Sequence, residues 1–367
     1  MRFKVDRDVL LKPLQFVSGV VERKQTLPIL ANVLMTLDKG ELSLICSDSE
    51  LEVIARLKVD SLQDGSITVP ARKLTEICKT LPAGSIIDLA VNEGKFILSS
   101  GRSRFSLATL PAHDFPTVDS RAGFMDFHLP RPLLRQLLDQ TAFAMAVQDV
   151  RYYLNGLLME IRGNELRVVA TDGHRLALAK TTLPSTLDTI KQVIVPRKGV
   201  QELSRIFSEG TEDLSISLST NHICIQTNEI SFTSKLIDGR YPDYERVIPP
   251  EGKSQFVANR EEFKQALQRA AILSNEKYRG VRLSLTNNNL LLNTNNPDQE
   301  AAEEQIVVEY SGSDDVELGF NVNYLLDVLS VLKSEKVRVS IAEGSHTAIL
   351  KSTETDNALY IVMPMKM

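Results

Sequence analysis

The densest chemistry in the chain lies at Thr171-Asp172-Gly173-His174-Arg175. An Asp two residues from a His is what an acid–base pair or part of a metal site would offer. The other four histidines, His113, His128, His222 and His346, are scattered without ligand spacing, and no HxH, HExxH, Walker A loop or GxSxG occurs. No cluster of carboxylates offers two-metal phosphoryl transfer. Cys46, Cys78 and Cys224 are odd in number and have no CxxC spacing. They read as reduced thiols of a cytoplasmic protein, with Cys46 and Cys224 as small core residues in apolar strand runs.

The surroundings of the Asp explain it better than catalysis does. Glu41-Leu42-Ser43-Leu44 runs into Ser47-Asp48, Glu165-Leu166-Arg167-Val168 into Thr171-Asp172, and Asn289-Leu290-Leu291-Leu292 into Asn295-Asn296. The three starts are 124 residues apart, a period of domain length. Each copy then passes from strand to helix, at Val69-Pro70-Ala71, Val195-Pro196-Arg197 and Phe320-Asn321-Val322. A third phrase closes each copy: Arg104-Phe105-Ser106, Ser231-Phe232-Thr233 and Leu359-Tyr360-Ile361. An Asp or Asn at the same place in every copy is turn chemistry, where the side chain holds its own backbone. What only the middle copy adds, Gly173-His174-Arg175-Leu176, reads as a binding surface.

The elements that carry these residues follow from periodicity. In the first copy, Leu10, Leu14, Val17 and Val21 form one stripe of an amphipathic helix that Asp6 or Asp8 can cap. Strands are expected over 3–5, 33–37, 42–45, 51–57, 67–69, 86–91, 95–99 and 103–110, and a second helix over 71–80. The later copies place helices near 130–147 and 196–206, and near 260–277 and 322–336. The expected architecture is α+β: three repeated domains, each with two helices packed on mostly antiparallel sheets. Their bounds are 1–121, 126–248 and 254–367, with linkers near Ser120-Arg121-Ala122-Gly123 and Pro249-Pro250-Glu251-Gly252. A chain of 367 residues, 43% hydrophobic and 24% charged, suits three globular domains with cores of their own. No run of about 18 apolar residues offers a membrane span, and Met1-Arg2-Phe3-Lys4-Val5-Asp6 alternates like a strand rather than a signal peptide.

Charge is unevenly placed. The segments 6–24, 71–80, 130–147, 196–206, 260–277 and 322–336 hold 18 Lys or Arg against 11 Asp or Glu, in a chain whose net charge is −5. Basic helices on an acidic protein suit a surface facing a polyanion, with the remainder repelling it. A −5 chain is a poor free-solution DNA binder, because affinity scales with phosphates neutralised. Aromatic content of 6% without Trp also argues against a stacking single-strand binder. A plain scaffold protein without a ring would account for the repeats but not for basic helices.

Several runs resemble the bacterial sliding-clamp family, the beta subunits of DNA polymerase III. They are Val69-Pro70-Ala71-Arg72, Ser100-Gly101-Arg102-Ser103-Arg104-Phe105, Gln148-Asp149-Val150-Arg151-Tyr152-Tyr153-Leu154-Asn155-Gly156, Ala170-Thr171-Asp172-Gly173-His174-Arg175-Leu176-Ala177, Asp238-Gly239-Arg240-Tyr241-Pro242-Asp243-Tyr244, Ser274-Asn275-Glu276-Lys277 and Val362-Met363-Pro364-Met365. They span the whole chain in order. The resemblance implies a head-to-tail homodimer that closes as a ring around double-stranded DNA without reading its sequence. Twelve helices of ~10 Å width would line a hole of roughly 28 Å. It further implies a non-catalytic processivity factor in the cytoplasm, associated with the nucleoid and not with membrane. Neither cofactor nor metal is called for.

The partners implied are the DNA polymerase III catalytic (alpha) subunit, the clamp-loader complex, and other DNA polymerases and repair proteins with short clamp-binding peptides. Carried over by motif, the peptide groove would use Leu154, Thr171, Gly173, His174, Arg175, Leu176, Pro242, Arg246, Val247, Asn321, Tyr324, Val362, Met363, Pro364 and Met365. Apolar and Met side chains accept varied anchors. Lys366, Ser345 and Thr347 depart from the family pattern at the rim. DNA contacts would fall to Arg23, Lys24, Gln148, Arg151, Tyr152 and Tyr153. The dimer interface would join Lys73, Arg102, Arg104, Phe105 and Leu107 to Ile272, Leu273, Glu300, Glu303 and Glu304.

Overall fold

The computed structural model describes residues 1–22, 27–118, 125–312 and 314–366. The expected linker at 120–123 and the DNA-contact candidates Arg23 and Lys24 lie outside these residues.

The first repeat runs β1 (Arg2–Asp6), α1 (Arg7–Ser18), β2 (Asn32–Asp38), β3 (Glu41–Ser47), β4 (Leu51–Lys58), β5 (Asp60–Gln63), β6 (Gly65–Pro70), α2 (Ala71–Thr80), β7 (Ile86–Asn92), β8 (Lys95–Ser100) and β9 (Ser103–Ala108). The second runs β10 (Met125–Pro130), α3 (Arg131–Thr141), β11 (Gly156–Thr171), β12 (Arg175–Pro196), α4 (Arg197–Ile206), β13 (Asp213–Leu218), β14 (His222–Gln226) and β15 (Ile230–Lys235). The third runs β16 (Ser254–Asn259), α5 (Arg260–Ala271), β17 (Gly280–Thr286), β18 (Asn289–Asn295), β19 (Ala301–Val307), β20 (Glu309–Tyr310), β21 (Val316–Asn321), α6 (Val322–Val331), β22 (Lys336–Ile341), β23 (Ala348–Ser352) and β24 (Ala358–Val362). Among the described residues, no helix is long and apolar enough to cross a membrane.

By contact, the chain gathers into two bodies, residues 1–134 with 198–237 and residues 135–197 with 238–367. The division cuts the middle repeat because sheets run on across repeats. In the first body an eight-stranded sheet has the order β10-β13-β14-β15-β4-β3-β2-β6, beside a five-stranded sheet β5-β1-β7-β8-β9. In the second, a seven-stranded sheet runs β11-β12-β24-β23-β22-β16-β20, beside a four-stranded sheet β19-β18-β17-β21. Each body thus holds one junction between repeats, and the two are alike. The closing strand β15 pairs antiparallel with β4, Phe232 opposite Val53; the closing strand β24 pairs with β12, Tyr360 opposite Ala177. Val53 and Ala177 are 124 residues apart, so the register repeats as well.

Four helices are shorter than periodicity predicts. α1 stops at Ser18, α3 at Thr141, α5 at Ala271 and α6 at Val331. After α3, Ala144, Met145 and Ala146 are buried from a 3-10 turn and loop. Burial is satisfied there without helix, so the apolar stripe continued while the helix did not. Cys46 and Cys78 are buried, but Cys224 is only half-buried, against its expected place in the core.

The helix arginines have an internal task that composition hid. Each repeat's first helix opens on an arginine, and that arginine binds the far end of the same repeat's second helix. Arg7 donates to the Cys78 and Lys79 carbonyls at 2.7 and 2.9 Å, Arg131 to Ile206 at 2.9 Å, and Arg260 to Leu329 and Ser334 at 3.2 and 3.0 Å. Orphan carbonyls at a helix C-terminus favour such a cation. Arg72 and Arg197 return the bond, to the Val21 and Met145 carbonyls. Arg205 donates to Gln15 and Phe16 at 2.9 and 2.6 Å, and a Cβ on Gly19 would lie 2.1 Å from its guanidinium, so this approach requires glycine. Much of the basic excess therefore holds helices together. Among the described residues, Lys73, Lys79 and Lys264 are helical lysines whose ammonium groups have no hydrogen-bond or ion-pair partner.

Candidate functional site

Thr171 ends β11, Arg175 begins β12, and the tight turn between them is built by the side chains flagged in the sequence. Asp172 Oδ1 accepts from the His174 and Arg175 backbone N–H groups at 2.9 and 3.0 Å, and Oδ2 from Arg175 Nε at 3.1 Å. Thr171 Oγ1 donates to the Arg175 carbonyl at 2.6 Å and accepts from Gly173 N at 3.1 Å. The carboxylate is thus committed to the turn and to Arg175 rather than to the imidazole, which removes the acid–base reading. Gly173 has φ +89°, and a Cβ there would meet Arg151 at 2.9 Å.

Arg175 then ties this turn to the third repeat. Its guanidinium donates to the Phe143 carbonyl at 2.9 Å and to Asp327 of α6, and lies 4.6 Å from the Tyr324 ring centroid and 5.2 Å from that of Phe143. His174 stacks on Tyr324 with centroids 6.4 Å apart. The tail leaves β24 beside the same turn: Val362 pairs with Arg175, and Met363 N–H donates to the His174 carbonyl at 2.9 Å. Met365 N–H is bound by the Gly319 carbonyl at 2.8 Å. Burial raises the Tyr324 phenol above its ordinary range, so at neutral pH it stays a neutral ring beside Arg175.

This turn, Tyr324 and the tail form one apolar, cation-stiffened surface. Leu154, Leu176 and Val362 are buried beneath it, while His174 and Met363 are exposed. Pro242, Arg246 and Val247 are exposed on a connector anchored by the buried Tyr241 and Tyr244. Arg246 pairs with Asp243 at 2.9 Å. Asn321 caps α6, accepting from Asn323 N at 3.0 Å, so its carbonyl oxygen serves the helix. Asp327 and Phe143, which position Arg175, carry no motif of their own and were not foreseen from sequence. Arg175→Met is expected to lower the unfolding free energy by about 2 kcal/mol, since it leaves Asp327 and the Phe143 carbonyl short of a donor; urea titration measures it.

The loop assigned to DNA is ordered by its own charges. The Arg151 guanidinium donates to Asp149 at 3.0 and 2.9 Å and its backbone N–H at 2.8 Å, which holds the Asp149 carboxyl down to about 2; the guanidinium also donates to the Asp172 carbonyl at 3.1 Å. Asn155 bridges the backbone N and O of Asp149. Gln148 takes φ +53°, and Val150 is 95% exposed. Tyr152 is exposed and packs edge-on to the half-buried Tyr153 at 5.7 Å. Most of the Arg151 guanidinium is therefore engaged within the protein, which leaves Gln148 and Tyr152 as the freer side chains. Among the described residues, no three His, Cys, Asp or Glu side chains group so as to hold a metal ion.

Fold and site together define a repeat-built binding protein whose most reactive-looking motif is a structural turn. Models of the N-terminal, central and C-terminal domains of the DNA polymerase III beta subunit match residues 1–119, 128–243 and 245–366. The beta sliding clamps of Pseudomonas aeruginosa and Escherichia coli K12 are 50% and 47% identical to the chain, with 100% of each chain covered. A crystal structure of the Pseudomonas aeruginosa sliding clamp bound to griselimycin superposes with a TM-score of 0.97 at 50% identity, again covering 100% of both chains. The chain belongs to the beta sliding clamps, the non-catalytic beta subunits of DNA polymerase III.

Proposed function

We propose that two copies of this chain close head to tail around duplex DNA and tether replication and repair proteins through the groove at His174, Tyr324 and the tail. The domains are 1–121, 126–248 and 254–367, and the ring works in the cytoplasm on the nucleoid. The polymerase III alpha subunit, the clamp loader and other clamp-binding polymerases and repair proteins insert peptides against Leu154, Thr171, Gly173, Leu176, Pro242, Val247 and Val362 to Met365. Gln148, Arg151, Tyr152 and Tyr153, with Arg23 and Lys24, give weak, sequence-blind phosphate contacts.

The observation that carries this reading is a pair of edge strands, each paired on one side only. In each body a closing strand pairs with a strand of the preceding repeat. Of the closing strands only β9 is an outer strand of its sheet, and β19, the third repeat's equivalent of β4 and β12, is another. Pairing them between copies repeats the same junction and closes a ring of two. The register follows from the internal junctions. Phe105 corresponds to Phe232 and Tyr360, and Ala301 is the next step at 124 residues from Val53 and Ala177. Phe105 then faces the partner's Ala301. Arg56 N–H donates to the Glu229 carbonyl and Lys180 N–H to the Asn357 carbonyl, each at 2.8 Å; by the same step Arg102 would lie opposite the partner's Glu304. Opposite charges there favour the pairing. Arg269 already holds Glu304 at 2.8 and 2.6 Å, so the carboxylate would sit between two arginines.

Two experiments test the reading. Cysteines placed at Arg104 and Ala302 are expected to cross-link copies under mild oxidation, whereas cysteines at Arg104 and Glu300 are not; the reverse pattern overturns the register. Protein loaded on nicked circular DNA by a clamp loader with ATP is expected to survive a high-salt wash and to be lost when the circle is cut. Loss from both forms would leave only electrostatic binding and sink the ring.

A further inference from the structure

The connector that carries Pro242, Arg246 and Val247 is fastened by a polar cluster the groove does not use. Glu160 of β11 is fully buried. Tyr244 Oη donates to Glu160 Oε1 at 2.8 Å, and Gln192 Nε2 donates to the other carboxylate oxygen. Arg167 Nη1 donates to Tyr244 Oη at 3.3 Å and to Glu245 Oε1 at 2.6 Å, and Arg162 Nη1 reaches the same Glu245 oxygen at 3.1 Å. Glu165 accepts from Arg167 Nε at 2.5 Å. Burial pushes the Tyr244 phenol up to about 12, so it remains a donor at neutral pH.

Such a cluster is a costly way to attach a turn. A buried carboxylate must be desolvated, and a well-packed apolar contact is often at least as stable. What directional bonds add is position. An apolar side chain can slide over a sheet, whereas Tyr244 is held from one side by Glu160 and from the other by Arg167, and Glu245 by two arginines. Tyr244 and Glu245 lie within three residues of Pro242 and Val247, so whatever fixes the first pair fixes the second.

We propose that Glu160, Tyr244 and Arg167 form a latch that sets the place of Pro242 and Val247 as one wall of the ligand groove, acting as positioning residues that do not touch the ligand. The inference rests on the groove reading above. The test is calorimetric titration with griselimycin, together with amide hydrogen exchange of the unliganded protein. Tyr244→Phe keeps the ring and removes the donor. It is expected to weaken griselimycin binding roughly tenfold and to speed exchange within 241–248, with the dimer mass unchanged. Glu160→Gln retains an acceptor for Tyr244 and is expected to keep affinity within about threefold of the parent.

Val247→Ala and Met363→Ala report on the groove itself. If they weaken binding while Tyr244→Phe changes neither affinity nor exchange, the latch is overturned and the groove stands. Faster exchange throughout 135–197 and 238–366 in Tyr244→Phe would make the cluster a general stabiliser and also overturn the proposal. No binding by the parent protein, or no effect of the two groove variants, removes the groove reading and the latch with it.

Discussion

Deleting residues 363–367 is expected to reduce binding of a clamp-binding peptide by at least about a hundredfold, roughly 3 kcal/mol, and to leave the dimer intact. The deletion starts after β24, so the strand that pairs with β12 from Arg175 to Ala179 is retained. What goes is Met363, 39% exposed and bonded to the His174 carbonyl, and Met365, bonded to Gly319. Both are apolar, unbranched side chains that can adapt to a ligand. Retained affinity within a few fold would mean that the ligand sits elsewhere, and calorimetry on the truncated chain decides it. A fall in dimer content on size exclusion would instead show that the tail has a structural role beyond the groove.

Ile272→Ala combined with Leu273→Ala is expected to convert the dimer into 40.9-kDa monomers. The reason is positional. Counting from the arginine that opens each repeat's first helix, Gly19, Phe143 and Ile272 occupy the same place. Gly19 lies beneath Arg205 of the second repeat, and the Phe143 ring packs against Tyr360 of the third with centroids 6.1 Å apart. Both equivalents are thus junction contacts, whereas Ile272 is 76% exposed. An apolar side chain that open to solvent, in a position that touches the next repeat in both other copies, marks an interface. Removing two such side chains costs about 1–3 kcal/mol each, and a ring of two chains suffers the loss at both interfaces. Sedimentation at low micromolar protein measures the outcome; a variant that stays wholly dimeric overturns this assignment.

Local signals located most of the elements. Strand alternation and the Val-Pro and Phe-Asn transitions placed β2–β4, β6–β9, α2 and α4 within a residue or two of where they fold. The ends of α1, α3, α5 and α6 were less legible, because Met145 and its neighbours satisfy the helical stripe while being buried from a loop. The turn role of Asp172 was legible because its two counterparts, at the 124-residue period, have no His beside them. The partners of Arg175 were not, since Asp327 lies 152 residues away and carries no motif. The basic excess of the helices was read correctly as charge and incompletely as surface. An arginine bound to carbonyls keeps its charge, but its guanidinium edges are no longer free to hold phosphate.

The sequence by itself determined the repeats, their strands and helices, the absence of a catalytic constellation and the family. All of these are written in local spacing and in motifs a few residues long. Only the tertiary structure decided which side chains remain available. Arg7, Arg131 and Arg260 are consumed by helix ends some 70 residues away, Arg151 by Asp149 and the neighbouring turn, and Glu160 by a connector 84 residues downstream. It also decided that strands pair across repeats, which leaves β9 and β19 as outer strands. Hydrogen bonds and strand register depend on which distant backbone arrives alongside, and that is settled when the sheets assemble rather than by any one segment.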